Sequence, residues 1–513
     1  MITSPRRSLR DLLGSDYIDA VIRTAHAVSG TEESALAALA DEAVDFYPPA
    51  FAERARELAR RTGDSLVPPF ADDLEGAPTD SYRRAQKTAA APLGGLGPCR
   101  IGSDGRIYLA AKSEHYHLSL GHAFPGHRLL ANAAALGIPN ATHNNTRGHV
   151  TRLAERALVA AANGLGIQDA AAVDAVLSDR RPQVLNRVIN LETGSLAAEA
   201  ALKMMLAAFY EADGPGRGRE DIPVFLVIAD NDGGPAGNYH GTTIVAQTLR
   251  GMWPAFTRAA EEAGLYKVVG VQMNDIDDVR DKVARYSRDG YGIAGFCHEI
   301  VLMNYGGMLL DADFLREAHR LVQAAGGLVL CDEIQSCAWY PEALLTARLG
   351  LNPDLIAVGK GFPGGAYPAS RIITTAAADR LSQFGALVTN GQEELASLAY
   401  LITMTFLAEN RAHLETTGAH LHEGLRGLVA KHADLVSDVT GDGLMAGLEF
   451  HSPQAALRFC AVLESAHGID SSVQAYKPAA PPTALLKLPV IVDSEIIDVI
   501  VDRMDAVLEG LRA

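Results

Sequence analysis

Five short apolar runs constrain this chain more than any other feature. They read VFLVIAD (224–230), YKVVGVQ (266–272), GIAGFCHEIVLM (292–303), GGLVLCDE (326–333) and DLIAVGK (354–360). Each is apolar at consecutive rather than alternate positions, the pattern of a strand buried on both faces. Helical patterns lie between them, such as DADFLREAHRLVQAAG (311–326), with aspartate near its start and glycine at its end. Strands alternating with helices predict an α/β layer on a mostly parallel sheet. Such sheets bind ligands at the carboxyl ends of their strands. Both Asp332 and Lys360 sit at such ends.

Composition narrows the choice of partner. At 513 residues the chain is long enough for two or more domains with a large core. Its net charge of -17 opposes phosphate backbones and anionic membranes, and no basic block offsets it, so neither nucleic acid nor membrane is expected. No apolar run is long enough to span a bilayer. The start, MITSPRRSLRDLLGSDY, lacks the apolar segment of a secretory signal. The odd set of cysteines, Cys99, Cys297, Cys331, Cys337 and Cys460, fits neither a disulfide framework nor a zinc spacing. A cytoplasmic, reducing setting is the expectation.

The chain divides by texture. Residues 1–90 read as a helical extension: TEESALAALADEAVDFY begins with a threonine cap, and PPAFAERARELARRTGD opens on proline and closes on glycine. Residues 91–124, with DGRIYLAA as a hairpin arm, belong to a smaller domain. Residues 125–395 form the large domain, and 396–513 return to helices and a short sheet in an α+β domain.

Asp332 and Lys360 stand 28 residues apart. That distance suits a strand–helix–strand crossover, which would bring a carboxylate and an amine to one cleft. By spacing alone, a plain buried salt bridge, or two solvated loop charges, is the simpler reading. Two other segments alter it. Thr193-Gly194-Ser195 opens a run of strong helix formers, and a small, hydroxylated helix N-terminus is suited to phosphate. GNYHGTT carries Tyr239, able to stack on a flat ring, beside His240.

In this order the pieces resemble the class III (ornithine/ω-type) aminotransferases, pyridoxal-phosphate enzymes of fold type I. The resemblance runs over about residues 95 to 510. It is strongest in FLREAHRLVQAAGGLVLCDEIQS and NPDLIAVGKGFPGGAYP, with support from LAERAL, YHG and GDGLMAGLEF. It implies a fold type I transferase whose cofactor is pyridoxal 5′-phosphate. Lys360 would form the Schiff base with the cofactor aldehyde. Asp332 would keep the pyridine nitrogen protonated, making the ring an electron sink. Gln335 would reach the phenolic oxygen, and Thr193, Gly194 and Ser195 would cradle the phosphate. Tyr239 would stack on the ring with His240 beside it, and Glu299 would sit near the cofactor. Thr389 would reach the phosphate of a partner subunit, so a homodimer or larger assembly is implied. The substrates would be an amine or amino acid and a keto acid or aldehyde. The setting of Lys360 suits this chemistry. A free lysine titrates near about 10.4, and burial lowers that value toward the neutral amine that can attack a carbonyl.

Some positions depart from the family. Leu196 replaces the glutamate of the phosphate loop. Lys487 stands where many members carry an arginine for the substrate α-carboxylate, and lysine lacks the bidentate fork. The segment SEHYHLSLGH places Glu114, His115, Tyr116 and His117 in a region that lines the family's pocket. An aminomutase, epimerase or lyase of the same fold remains an alternative, as does a non-catalytic regulator or scaffold. No metal is expected at the crowded His115, His117, His122 and His127. Trp253 and Trp339 are expected in the core or pocket wall.

Overall fold

The computed structural model describes residues 2–71, 74–85, 90–229, 241–473 and 480–512. Its centre is a seven-stranded sheet. The strands are β1 (Leu185–Leu191), β2 (Ile222–Ile228), β3 (Lys267–Val271), β4 (Tyr291–His298), β5 (Leu328–Asp332), β6 (Leu355–Val358) and β7 (Ser370–Thr375). They lie in the order β1-β7-β6-β5-β4-β2-β3. β5 is parallel to both β4 and β6, β2 is parallel to β3 and β4, and β7 runs antiparallel to β6 and β1. All five apolar runs therefore become sheet strands, buried on both faces as the pattern requires. Alternate residues enter different cores. Val329 and Cys331 pack with Val224, Leu226 and Ile356 on one side. Leu330 packs with Ala201, Met205 and Phe225 on the other.

The register fixes the site. Asp332 pairs with Ala357 across β5–β6, and Cys331 pairs with His298 across β5–β4. Asp332, Glu299 and Lys360 therefore emerge at one edge, where the parallel strands end. The antiparallel β7 begins at that edge with Ser370. The helix Gly194–Leu206 starts there too, its N-terminus capped by Thr193, whose hydroxyl accepts from the Ser195 amide at 3.1 Å.

A four-stranded antiparallel sheet is built from Val436–Asp442, Met445–Phe450, Ser472–Val473 and Thr483–Lys487. GDGLMAG spans the hairpin of its first two strands, with Gly443 and Leu444 as the turn. The hairpin of Cys99–Gly102 and Ile107–Leu109 belongs to a separate three-stranded sheet that joins the four-stranded one through backbone bonds. Lys487 N donates to Ala111 O at 2.7 Å, and Asp470 N donates to Leu109 O at 3.1 Å.

Two sequence expectations are corrected. The helix foreseen from Thr31 onward covers only Glu33–Asp41, with Glu32 at its N-cap and no side-chain cap. The chain then pairs Val44–Asp45 with Arg6–Arg7, because Val44, Phe46 and Tyr47 are drawn into the core. Trp253 is 54% exposed at the start of the helix Pro254–Glu262, whereas Trp339 is buried as expected.

Candidate active site

The strand ends open into a cavity of about 810 Å³. Thr193, Gly194, Ser195, Glu299, Asp332, Gln335 and Lys360 all line it, so seven residues singled out in the sequence meet at one place. Tyr239 and His240 lie outside the described residues. Thr389 is exposed and does not line the cavity of its own chain. The amide of its neighbour Asn390 donates to Glu192 at 3.2 Å, which ties that loop to the cavity rim.

Lys360 follows β6 by two residues. Burial pushes its amine below the ordinary lysine range, while Glu299 and Asp332 pull the other way. Its Nζ lies 5.5 Å from the centre of the Tyr116 ring. Glu299 is 2% exposed, and burial followed by the Asp332 charge raises its carboxyl well above the usual range. Gln335 Nε2 donates to Glu299 Oε1 at 3.3 Å. Asp332 Oδ1 accepts from the Ile334 amide at 3.0 Å, which fixes the carboxylate at the strand end.

A second carboxylate anchors the turn that carries these groups. Glu333 points away from the cavity and accepts from the Leu345 amide at 2.7 Å, the Thr346 amide at 2.7 Å and the Thr346 hydroxyl at 2.6 Å. Gly361, just after Lys360, has no room for a side chain: a Cβ there would fall 2.4 Å from Cys337 O. That contact holds the lysine segment against the Asp332 segment.

The residues present fit a flat, phosphorylated ring. The N-terminus of the helix Gly194–Leu206 suits an anion. A Cβ on Gly194 would meet the Ile334 side chain at 2.6 Å, so the glycine keeps the loop close to the turn bearing Asp332. Gln335 Oε1 is buried without a hydrogen-bond partner among the described residues.

Lys487 does something other than its sequence position suggested. It is fully buried and does not line the cavity. Its Nζ donates to the carbonyls of Gln335 and, at 3.4 Å, Tyr116. It also lies 3.7 Å from the Trp339 ring centre. Burial, then the nearby Lys360 charge, holds its amine well below the ordinary range. Lys487 thus braces the cavity wall from behind and is not placed to hold a substrate carboxylate.

The unusual SEHY segment is a single left-handed turn. Ser113, Glu114, His115 and Tyr116 have φ of 47°, 48°, 62° and 77°. Its bonds run from Tyr116 N to Lys112 O at 2.7 Å and from His117 N to Ser113 O at 3.0 Å. This turn presents His115, Tyr116 and His117 to the cavity. Glu114 faces away, accepting from Arg100 at 3.2 Å and contacting His122 Nε2 at 3.0 Å. Burial alone would raise the Glu114 carboxyl, but His122 and Arg100 hold it below the usual range.

Sequence reasoning missed Arg250, Glu192 and Asn304, which also line the cavity. Arg250 closes the short helix Ile244–Leu249, and Asn304 sits in the one-turn helix Met303–Tyr305. Neither lies in a pattern that marks a site.

Comparison with known proteins agrees with this geometry. The profile of the family described as Aminotransferase class-III matches residues 102–508. A mitochondrial alanine–glyoxylate aminotransferase 2 homolog 2 from Arabidopsis thaliana is 33% identical over 206 residues, covering 38% of this chain and 40% of the relative. A glutamate-1-semialdehyde 2,1-aminomutase from Thermus thermophilus is 32% identical over 203 residues, covering 37% and 46%. The aligned region thus spans less than half the length of these curated relatives. Among solved structures, an ornithine aminotransferase from Toxoplasma gondii has a TM-score of 0.63 at 18% identity, covering 85% of this chain and 96% of its own. A transaminase from the marine bacterium Virgibacillus has a TM-score of 0.64 at 17% identity, covering 90% and 100%. These structures share the fold, and the family match extends over most of the chain: it belongs to the class III aminotransferases, a family that works with pyridoxal 5′-phosphate.

Proposed function

We propose that the chain is a pyridoxal-phosphate-dependent aminotransferase that moves an amino group between an amine or amino acid and a keto acid or aldehyde. The observation that carries this reading is the half-buried Lys360, its amine desolvated at the edge of a cavity it shares with Asp332, Glu299 and a phosphate-type helix N-terminus. When bound, the cofactor supplies an aldehyde for the amine and a protonated ring that withdraws electrons from the substrate Cα. The other steps belong to this chain. Thr193, Gly194 and Ser195 hold the phosphate. Asp332 holds a proton on the ring nitrogen, and Gln335 offers its side chain to the ring's oxygen. Lys360, whose amine burial holds below the ordinary lysine range, would hold the cofactor through its aldehyde and would move a proton to and from the substrate Cα. Tyr239 and His240 are assigned to the ring face from the sequence.

Arg250 takes the role of a substrate carboxylate contact, since it lines the cavity and Lys487 does not. A homodimer is part of the proposal, with Thr389 reaching a partner's phosphate; its exposure beside the rim residue Glu192 supports this. The division at residues 90, 124 and 395 is kept, residues 125–395 holding the cofactor. Five buried, unpaired cysteines support a cytoplasmic setting. No helix among the described residues is long and apolar enough to cross a membrane.

The test is product analysis with a panel of amino acids and amines, each offered with a keto acid or aldehyde acceptor. Transfer of the amino group to the acceptor supports the reading. Conversion of a single substrate to its isomer, with no transfer, would instead support the aminomutase alternative, which the match to an aminomutase keeps in play.

A further inference from the structure

We propose that His298, His319 and Cys331 form a binding site for a monovalent, thiophilic cation of the copper(I) type, directly behind the carboxylates of the cavity. His298 ends β4 and Cys331 lies one residue before the end of β5, and the two are register partners. Glu299 and Asp332 follow them in the chain. Because successive strand residues face opposite ways, the carboxylates serve the cavity, while His298 and Cys331 turn to the other side. The helix Ala312–Ala324 covers that side and contributes His319.

The three ligand atoms already converge. His298 Nε2 lies 2.9 Å from His319 Nε2, and Cys331 Sγ lies 3.4 Å and 3.9 Å from the same two nitrogens. Three ligands spread evenly around an ion at about 2.0–2.1 Å from nitrogen and about 2.3 Å from sulfur stand roughly 3.5–3.8 Å apart. The sulfur nearly fits already, and the two imidazoles must part by roughly 0.6 Å. His298 is set for this role: its Nδ1 lies 3.1 Å from the Glu299 carbonyl, so that nitrogen carries the proton and Nε2 presents a lone pair. That lone pair accepts from His319 Nε2 at 2.9 Å, and His319 Nδ1, with no hydrogen-bond partner among the described residues, can take the proton when Nε2 turns to the ion.

Charge and ligand count select the ion. All three residues are buried, with His298 at 1%, His319 at 3% and Cys331 at 0% exposure. Two neutral imidazoles and one thiolate balance a single positive charge. A divalent ion would leave a net charge in a dry core, which is costly. No fourth histidine, cysteine or carboxylate joins the group among the described residues, and structural zinc takes four ligands. Thiolate and imidazole together suit soft copper(I). On binding, the thiol S–H bond breaks, the Sγ–metal bond forms and the proton leaves to solvent; no electron is transferred. The ion would clamp β4, β5 and the covering helix together beneath Glu299 and Asp332.

The test uses the full chain, reduced and loaded with its cofactor, titrated anaerobically with copper(I) against bicinchoninate. We expect one equivalent to be drawn from the chelator, a thiolate-to-copper band in the near ultraviolet, and a rise in Tm of several degrees. X-ray absorption on the wild type should count two nitrogens and one sulfur at the metal, a measurement that needs no variant. Cys331→Ala and His319→Gln, checked for fold by their far-UV spectra, should each weaken retention by at least a hundredfold. The proposal is overturned if the wild type leaves all copper with the chelator. It is equally overturned if Cys331→Ala retains copper as well as wild type, or if zinc is retained in preference.

Discussion

Lys360 and Lys487 show how differently two desolvated lysines can be used, the first half-buried and the second fully so. Both are held below the ordinary range first by burial. Only Lys360 lines the cavity; Lys487 spends its protons on the backbone carbonyls behind it. The sequence makes the first legible, because an apolar strand leading into Gly-Lys-Gly is an unusual pattern. It makes the second misleading, because a lysine in a strand has no mark telling which face it takes once the register is set. Arg250 was illegible for a related reason: a helix-terminal arginine is ordinary until the fold brings it to a cavity. Two outcomes follow. Lys360→Ala should lose activity by about three orders of magnitude or more, the scale of a lost nucleophile and proton carrier, in steady-state assays. Arg250→Gln should raise KM for a carboxylate-bearing substrate about tenfold or more while changing kcat little, and should leave KM for a simple amine unaltered.

The elements behind the site were legible where burial dictates pattern and illegible where backbone strain does. All five apolar runs became sheet strands, and Thr193 capped its helix as its position implied. The left-handed turn at Ser113–Tyr116 carries no glycine or asparagine to announce it. Left-handed geometry costs roughly 1–2 kcal/mol per ordinary residue, and Glu114, tied to Arg100 and His122, helps to hold it. His115→Gly relieves that strain but adds unfolded-state freedom, worth roughly 0.5–1 kcal/mol against it. Its Tm should therefore hold or rise by a few degrees. His115→Val places a β-branched residue at φ of 62° and should lower Tm by several degrees in the same melt. At the opposite rim, Gly194→Ala pushes against Ile334 and should weaken cofactor affinity about tenfold, read by equilibrium dialysis.

Across the whole molecule, stability depends in part on buried histidines that do not line the cavity. Burial holds His127 and His413 down to about 4, against an ordinary 6.5. Between those values the unfolded chain binds protons that the folded chain refuses, so stability falls as pH drops through that window. Each histidine contributes a slope of up to about 1.4 kcal/mol per pH unit. Urea midpoints measured from pH 7 to pH 4.5 should fall steadily, and His413→Gln should flatten the slope. That the apolar runs form a mostly parallel sheet with Asp332 and Lys360 at strand ends was readable from alternation; the strand order, and the strands β1 and β7 outside those runs, were not. The two short strands near the N-terminus were not, because pairing between Arg6–Arg7 and Val44–Asp45 depends on contacts remote in the chain.

The proposed function makes Lys360 the residue that joins the cofactor. Borohydride reduction of the cofactor-loaded protein, followed by proteolysis and mass spectrometry, tests it directly. A phosphopyridoxyl group on the peptide carrying Lys360, and on no other lysine, is the predicted result. Label on Lys487, or on no lysine, would contradict it.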